Sequence, residues 1–215
     1  MSSRQLLLTR ALFATLGFII IGVGLDISVK AGLGVSPWTV FHLGITNYIK
    51  LTQGQVSQIV GLIIVALSFF LGIKPALGTI MNMLFIGWFY DLSVSLMLIP
   101  RAESYAVSGF YVAISLLMVG FGGAMYMSAG LGAGPRDSLM LALTRRSKMP
   151  VSTIKTAMDV TVLVLGYFMG GPVGIGTVIY SIGLGPIIQM SFSFFRKLSL
   201  RSPCARTIVK IPSTI

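Results

Sequence analysis

Six apolar segments in this sequence are each long enough to cross a lipid bilayer. They lie near residues 11–29, 55–73, 76–99, 106–128, 153–171 and 173–195. A hydrocarbon core of about 30 Å requires roughly 20 apolar residues in a helix, and it holds no water to satisfy free backbone N–H and C=O groups. The segments therefore predict an all-α membrane protein with six transmembrane helices, and they exclude a soluble globular fold.

The sequence matches itself, without a gap, at an offset of 98 residues. Between residues 22–87 and their counterparts, 16 of 66 positions are identical, and seven of these are glycines. Each half then contains three spans, and an odd number of spans places the two halves in opposite orientations in the membrane. The pattern predicts an inverted 3+3 repeat, an arrangement found in many transporters.

Two repeats and a tail make up the predicted organisation. The first repeat covers residues 8–100 and includes a short helix at 36–49. The second repeat covers residues 106–195 and includes a short helix at 134–147. Each short helix follows the first span of its repeat and is too short and too polar to cross the membrane. Residues 196–215 form a basic tail.

The basic residues predict which ends of the spans face the cytoplasm. With the N-terminus inside, 13 Lys and Arg residues fall on the cytoplasmic side, and only Lys30, Lys50 and Arg101 fall outside. Cytoplasmic loops carry the excess of basic residues in membrane proteins. We therefore expect both termini in the cytoplasm. The net charge of +11 then favours contact of the 196–215 tail with anionic inner-leaflet lipid, and not with nucleic acid.

Two glycine-rich breaks precede the short helices at matched positions. They read Gly32-Leu33-Gly34-Val35-Ser36-Pro37 and Gly130-Leu131-Gly132-Ala133-Gly134-Pro135. An N-cap residue followed by proline predicts an abrupt helix start, whose free N–H groups and dipole attract anions. We therefore predict substrate contacts at four residues of the breaks: Gly34, Ser36, Gly132 and Gly134. The alternative is a pair of interfacial helices, with Trp38 in the headgroup layer.

The second short helix begins with two charged residues where the first has none. Arg136 and Asp137 occupy the positions that match Trp38 and Thr39. Arg136 is suited to a carboxylate or phosphate group, and Asp137 is favoured by the helix dipole. We include both in the predicted substrate site. The alternative is a surface salt bridge with a helix cap.

Acidic residues inside apolar spans are costly and usually mark ion or substrate pathways. Asp91 lies deepest in its span, and its counterpart Gln189 is also polar. We predict a coupling or gating role for Asp91, Asp159 and Gln189, with structural hydrogen bonding as the alternative for Asp91. Two pairs at a spacing of four residues predict local ion pairs: Asp26 with Lys30, and Lys155 with Asp159.

No pattern in the sequence is typical of an enzyme. The chain contains no metal-ligand cluster, nucleophile elbow, phosphate-binding loop or dinucleotide fingerprint. We expect no catalytic residue, metal or cofactor. A secondary transporter or exporter of a small polar or anionic molecule fits best. A channel, a substrate-binding subunit of an ATP-driven uptake complex and a non-transporting accessory protein are the alternatives, and a homodimer is compatible with each.

One motif in the second repeat is the most distinctive. It reads Ala129-Gly130-Leu131-Gly132-Ala133-Gly134-Pro135-Arg136-Asp137, with Leu139-Met140 following, and Ala31 to Trp38 is its counterpart. On these motifs, over about residues 8–195, the chain resembles the YczE/YitT-type integral membrane proteins. It lacks the soluble C-terminal domain of YitT-like proteins, which favours the YczE branch. The resemblance implies a multipass protein of the bacterial plasma membrane, often suggested to be a transporter, and it implies no substrate and no catalytic residue.

Overall fold

The computed structural model describes residues 3–97, 99–201 and 208–209. These residues form eight α-helices: α1 (Ser3–Lys30), α2 (Pro37–Thr46), α3 (Gln53–Phe70), α4 (Leu77–Ser95), α5 (Tyr105–Ser128), α6 (Pro135–Ser147), α7 (Val151–Phe168) and α8 (Ile175–Arg201). All but α2 and α6 are long and apolar enough to cross a membrane. The predicted all-α fold is confirmed for the described residues, and the six predicted spans correspond to these six candidate spans.

The largest departures from the predicted bounds are at the two ends of the chain. α1 begins at Ser3, before the apolar segment, and α8 continues to Arg201, beyond the predicted start of the tail. Residues 196–201 contain only Arg, Lys, Leu and Ser, so no glycine or proline stops the helix. Apart from Ile208 and Val209, the rest of the predicted lipid-binding tail lies outside the described residues.

Helices begin at matched positions in the two halves of the chain. α2, α3 and α4 begin at residues 37, 53 and 77, and α6, α7 and α8 begin 98 residues later. Glycines with positive φ recur at the same offset: Gly32, Gly34 and Gly72, and then Gly130, Gly132 and Gly170. Glycine adopts this conformation without a steric penalty, so the two breaks take the same unusual backbone path.

α1 and α5 form the centre of the bundle. A Cβ added to Gly17 would lie 2.8 Å from the carbonyl oxygen of Gly122, so the two backbones are in direct contact. Ala31, just after α1, packs near Val112, in the first part of α5. Residues late in one helix therefore meet residues early in the other, and the two helices run antiparallel. Small residues at the crossing permit this close approach.

The two halves of the chain interlock at the glycine-rich breaks. The backbone N–H of Gly78 donates to the carbonyl oxygen of Leu131 at 2.8 Å, and that of Gly176 donates to Leu33 at 2.7 Å. Gly78 matches Gly176, and Leu33 matches Leu131, so the two hydrogen bonds are reciprocal. Each break is thereby tied to the first turn of the last helix of the opposite half.

The short helix α2 is enclosed by the other helices. Six of its residues are buried: Pro37, Trp38, Thr39, Val40, His42 and Gly44. It packs on α7 at short range, because a Cβ added to Gly166 would lie 2.6 Å from the backbone nitrogen of Phe41. A helix lying flat in the headgroup layer would expose one face, so this burial disfavours the interfacial alternative for α2. The matched helix α6 packs on α3 and α7.

Two matched helix pairs are not packed alike. α3 packs along α4, whereas no comparable packing joins α7 and α8 in the part of the chain that the structure describes. The interior is therefore closed between α3 and α4 and open between α7 and α8.

Candidate functional site

A cavity of about 570 Å³ lies where the two halves of the chain meet. All eight helices contribute residues to its wall. Most of the wall is apolar, and its charged side chains lie in the first turn of α6 and in the first half of α7. α7 and α8, which are not packed closely on each other in the described residues, both line this space.

The starts of α2 and α6 meet in the cavity wall. Ser36 is the N-cap of α2, where its hydroxyl oxygen accepts a hydrogen bond from the backbone N–H of Thr39, and Pro37 follows it. Gly134 is the N-cap of α6, and Pro135 follows it. The predicted caps and first-turn prolines are confirmed. First-turn residues of both helices line the same space, and the N-terminus of a helix is a favourable environment for negative charge.

Arg136 stacks on Trp38 across the junction of the two halves. The guanidinium carbon lies 4.4 Å from the centroid of the indole ring, within the range of a cation–π contact. Arg136 is exposed in the cavity, and among the described residues it forms no ion pair. Desolvation lowers the pKa of Arg136 to about 10, so the side chain keeps its charge at neutral pH. A cation without a carboxylate partner thus faces the cavity.

A chain of polar contacts holds the Trp38 ring in place. Its Nε1–H donates to Asp159 Oδ1 at 2.9 Å, and Lys155 Nζ lies 2.7 Å from Asp159 Oδ2. The predicted ion pair between Lys155 and Asp159 is confirmed. Asp159 therefore holds the ring on which Arg136 stacks, and its negative charge also favours the charged form of the guanidinium.

Asp137 is held by a residue of α5. The hydroxyl of Tyr126 donates to Asp137 Oδ2 at 3.2 Å. Desolvation by burial raises the pKa of Asp137, while the Tyr126 hydrogen bond and the charge of Arg136 oppose that rise. The side-chain amide of Asn82 lies on the same side, since a Cβ added to Gly134 would lie 3.3 Å from its nitrogen.

His42 of α2 is a further polar residue of the cavity wall. It is 3% exposed, and its Nε2 has no hydrogen-bond partner among the described residues. Desolvation, with a smaller effect from Arg136, lowers the pKa of His42 well below its usual value of 6.5. The imidazole is therefore neutral at physiological pH and adds a polar group to the wall without adding charge.

Comparison with known proteins identifies the family. Residues 8–193 match the family of unknown function DUF6198. The chain belongs to this family. It is 36% identical to the uncharacterized membrane protein YczE of Bacillus subtilis over 190 residues, which cover 87% of each chain. It is 30% identical to an uncharacterized protein of Haemophilus influenzae over 179 residues, 83% of this chain and 81% of that protein.

A third relative is the uncharacterized protein YyaS of Bacillus subtilis. It is 26% identical over 170 residues, which cover 76% of this chain and 83% of YyaS. No solved structure matches the chain. The predicted resemblance to YczE is confirmed, and with six candidate spans this DUF6198 member is a multipass membrane protein.

Six of the nine predicted site residues of this DUF6198 protein line the cavity: Ser36, Gly134, Arg136, Asp137, Asp159 and Gln189. Gly34 and Gly132 lie outside this lining. A Cβ added to Gly34 would lie 2.4 Å from the nitrogen of Gly174, and one added to Gly132 would lie 2.4 Å from Cβ of Ala76. These two glycines permit close contact between each break and the opposite half.

Asp91 also lies outside the cavity lining. Its carboxylate accepts hydrogen bonds from the hydroxyl of Thr52 and from the backbone N–H of Gly54, at 3.0 Å for the latter. These contacts cap the start of α3 and join it to α4. The geometry is that of structural hydrogen bonding, and a gating role for Asp91 stays a prediction.

The predicted ion pair between Asp26 and Lys30 is wrong. Lys155–Asp159 is the one salt bridge among the described residues. Asp26 is 1% exposed and accepts a hydrogen bond from the Ser93 hydroxyl of α4 at 2.8 Å. The buried carboxylate has its hydrogen-bond donor on the neighbouring helix, and the charge of Lys30 acts on it without a salt bridge.

Sequence reasoning missed the roles of Trp38 and Tyr126. For Trp38 a signal existed, because the internal repeat matches this residue to Arg136. No sequence signal pointed to Tyr126, since its contact with Asp137 depends on how α5 packs against α6.

Proposed function

We propose that this DUF6198 protein is a secondary transporter of a small anion. The proposal rests on one observation, the unpaired guanidinium of Arg136 at the junction of the two helix starts. Helix N-termini favour negative charge, and an arginine without a carboxylate partner presents a planar set of donors suited to a carboxylate or phosphate. The cavity encloses that site within protein, as ligand sites usually are.

We further propose that the two halves are an inverted repeat, with both chain termini in the cytoplasm. Three features of the fold support this: the matched helix starts, the antiparallel packing of α1 with α5 and the reciprocal hydrogen bonds at the breaks. The distribution of Lys and Arg residues supports the orientation. Inverted repeats place a substrate site near the bilayer midplane, where the halves meet.

The different packing of the two helix pairs supports alternating access. In the proposed orientation the start of α3 faces outward and the start of α7 faces the cytoplasm. The α3–α4 pair is closed and the α7–α8 pair is open, which is the asymmetry expected of an inward-open state. An exchange of these two arrangements would expose the same cavity to the opposite side.

Uptake by proteoliposomes tests the transport proposal. Wild-type protein should accumulate at least one anion from a panel of carboxylates, phosphates and sulfonates, and the uptake should saturate. Arg136→Gln should lower this uptake about tenfold or more, because a hydrogen bond to a charged group contributes roughly 1.5–3 kcal/mol. Arg136→Lys, which keeps the charge, is the matched control and should retain part of the uptake. Background uptake by folded wild-type protein across the panel would contradict the proposal, and uptake that does not saturate would indicate a channel.

Labelling at two matched positions tests the inverted arrangement. Gln53 and Val151 begin α3 and α7 and both line the cavity, but Gln53 is 7% exposed and Val151 is 45% exposed. Each is replaced by cysteine in a Cys204→Ser chain, since Cys204 is the only cysteine. An impermeant maleimide should label Val151→Cys quickly from the cytoplasmic side. It should label Gln53→Cys only slowly, and from outside. Labelling of both positions from the same side would contradict the arrangement.

A further inference from the structure

We infer that the ligand is a monoanionic organic acid with an apolar body of several carbon atoms, bound with its charged group at Arg136. This inference rests on the proposed anion site and specifies its ligand. Four observations support it: the charge balance of the wall, the unmet donors beside Trp38, the apolar remainder of the wall and the size of the cavity.

The charge balance of the wall favours one negative charge on the ligand. Two basic and two acidic side chains line the cavity, so the wall has no net positive charge that could balance a doubly charged ligand. Lys155 is paired with Asp159, and Asp137, whose charge acts on Arg136, accepts from Tyr126, so Arg136 forms no salt bridge among the described residues. One anionic group would satisfy Arg136. A second negative charge would face Asp137 and would be repelled.

Two polar groups near the helix starts lack hydrogen-bond partners. The guanidinium carbon of Arg136 lies over the Trp38 ring, and no described residue forms a salt bridge with the group, so its N–H donors are available for a planar carboxylate. His42, in the same wall, is buried and has an unpartnered Nε2 among the described residues. A buried polar atom without a partner is costly, so a polar ligand group at this end of the cavity would relieve that cost.

The rest of the wall suits an apolar body. It includes side chains from five helices: Ile21, Leu25, Ile86, Met127, Met140 and Met158. Methionine side chains are flexible and polarizable, and they adapt to apolar ligands of different shape. A volume of about 570 Å³ is typical of sites for organic molecules and far exceeds what an inorganic anion fills. An inorganic ion would leave most of this apolar surface in contact with water.

Fluorescence of Trp38 provides a direct binding test. The chain has two tryptophans, and Trp88 is 53% exposed and lines no part of the cavity, so Trp88→Phe leaves Trp38 as the sole reporter. The protein in lipid nanodiscs is titrated with butanoate, hexanoate, 1-hexanol, hexylammonium and inorganic phosphate. Empty nanodiscs and an Arg136→Gln chain are titrated in parallel, to subtract partition of the probes into lipid.

The expected result is saturable quenching by hexanoate that is tighter than quenching by butanoate. Each buried methylene should strengthen binding about fourfold, so the two acids should differ about fifteenfold. Hexanol, hexylammonium and phosphate should each bind at least tenfold more weakly than hexanoate. Arg136→Gln should weaken hexanoate binding about tenfold or more, and Arg136→Lys should retain part of the affinity. Met140→Asn should reduce the difference between hexanoate and butanoate.

Two other results would overturn the inference in distinguishable ways. Phosphate that binds as tightly as hexanoate, with affinity lost in Arg136→Gln, would retain the anion site and reject the apolar body. Equal binding of hexanoate to wild-type and Arg136→Gln protein, or no response of Trp38 to any anion, would reject the anion site and the proposed function with it. Arg136→Lys keeps the test decisive where Arg136→Gln fails to fold.

Discussion

The α3–α4 pair and the α7–α8 pair hold matched positions in the two halves, and they differ most at the starts of α3 and α7. In the first pair, Gly54 donates to Asp91, and a Cβ added to Gly87 would lie 2.5 Å from the carbonyl oxygen of Gly54. In the second pair, Gly185 has no atom within 4 Å of an added Cβ, and Gln189 is exposed in the cavity. The two matched helix pairs therefore differ in packing: the α3–α4 pair is closed, and the α7–α8 pair is open.

The difference shows that closure depends on a few polar groups at a helix start. α3 has a complete capping box from Thr52 and Gln55, and Asp91 accepts from a free N–H of its first turn. α7 begins after Pro150, which supplies no side-chain cap. Gln189 replaces the carboxylate with a neutral amide, a weaker acceptor. The open pair therefore lacks the acceptor that joins the closed one.

Removal of the Asp91 carboxylate should have the largest effect. Asp91→Ala deletes two hydrogen bonds to a charged acceptor, each of which contributes roughly 1.5–3 kcal/mol. We expect α3 to separate from α4 and maleimide labelling of Gln53→Cys to become at least about tenfold faster. Gln189→Ala is the matched control and should leave that rate unchanged. An unchanged rate in Asp91→Ala would show that this carboxylate does not hold the pair closed.

Substitution of the matched glycines Gly87 and Gly185 tests whether the two helix pairs are packed differently. Gly87→Ala inserts a methyl group against the backbone of Gly54 and should lower the free energy of unfolding by about 1–3 kcal/mol. Gly185→Ala meets open space, so the better helix propensity of alanine should raise stability by up to about 1 kcal/mol. Chemical unfolding in detergent measures both variants. Equal losses of stability would indicate that α8 is also packed at Gly185.

Asp137 of α6 is ionisable, whereas Thr39, its counterpart in α2, is not. We therefore expect a pH dependence of anion binding that originates in α6 alone. Arg136, Tyr126 and Lys155 act on Asp137, and burial raises its pKa above the ordinary value of 3.8. As the pH falls from neutrality toward that raised pKa, protonation removes a negative charge beside Arg136. The affinity for hexanesulfonate, which stays ionised, should therefore rise severalfold. Asp137→Asn should bind at the higher affinity at every pH, and a wild-type affinity that falls with pH would contradict this account.

Replacement of Lys155 by serine, the residue at the matched position of α3, should have the smallest effect on stability. Lys155→Ser removes the partner of Asp159, but the side chain of Lys155 is 58% exposed. Exposed ion pairs contribute little, so the free energy of unfolding should change by less than about 1 kcal/mol. Thermal unfolding measures the change. A loss well above that limit would mean that the Lys155 charge is needed to hold Asp159 against Trp38.

The sequence predicted those features that depend on neighbouring residues. Ser36, Gly134 and the prolines after them define helix starts through local backbone chemistry, and the spans follow from apolar length alone. The contact of Arg136 with Trp38 was not predictable in this way, because it depends on how the two halves cross. Asp26 shows the same limit, since helical spacing pointed to Lys30 while a hydroxyl on another helix took its place.

The reciprocal tie between Gly176 and Leu33 has a mechanical consequence. Gly176 lies in the first turn of α8, one of the two helices of the open pair, and Leu33 lies just before α2, whose first turn lines the cavity. A single backbone hydrogen bond therefore connects the first turn of α8 to the segment before α2. In the proposed transport cycle, a tilt of α8 would therefore also shift the segment before α2 and, with it, the start of α2 beside Arg136.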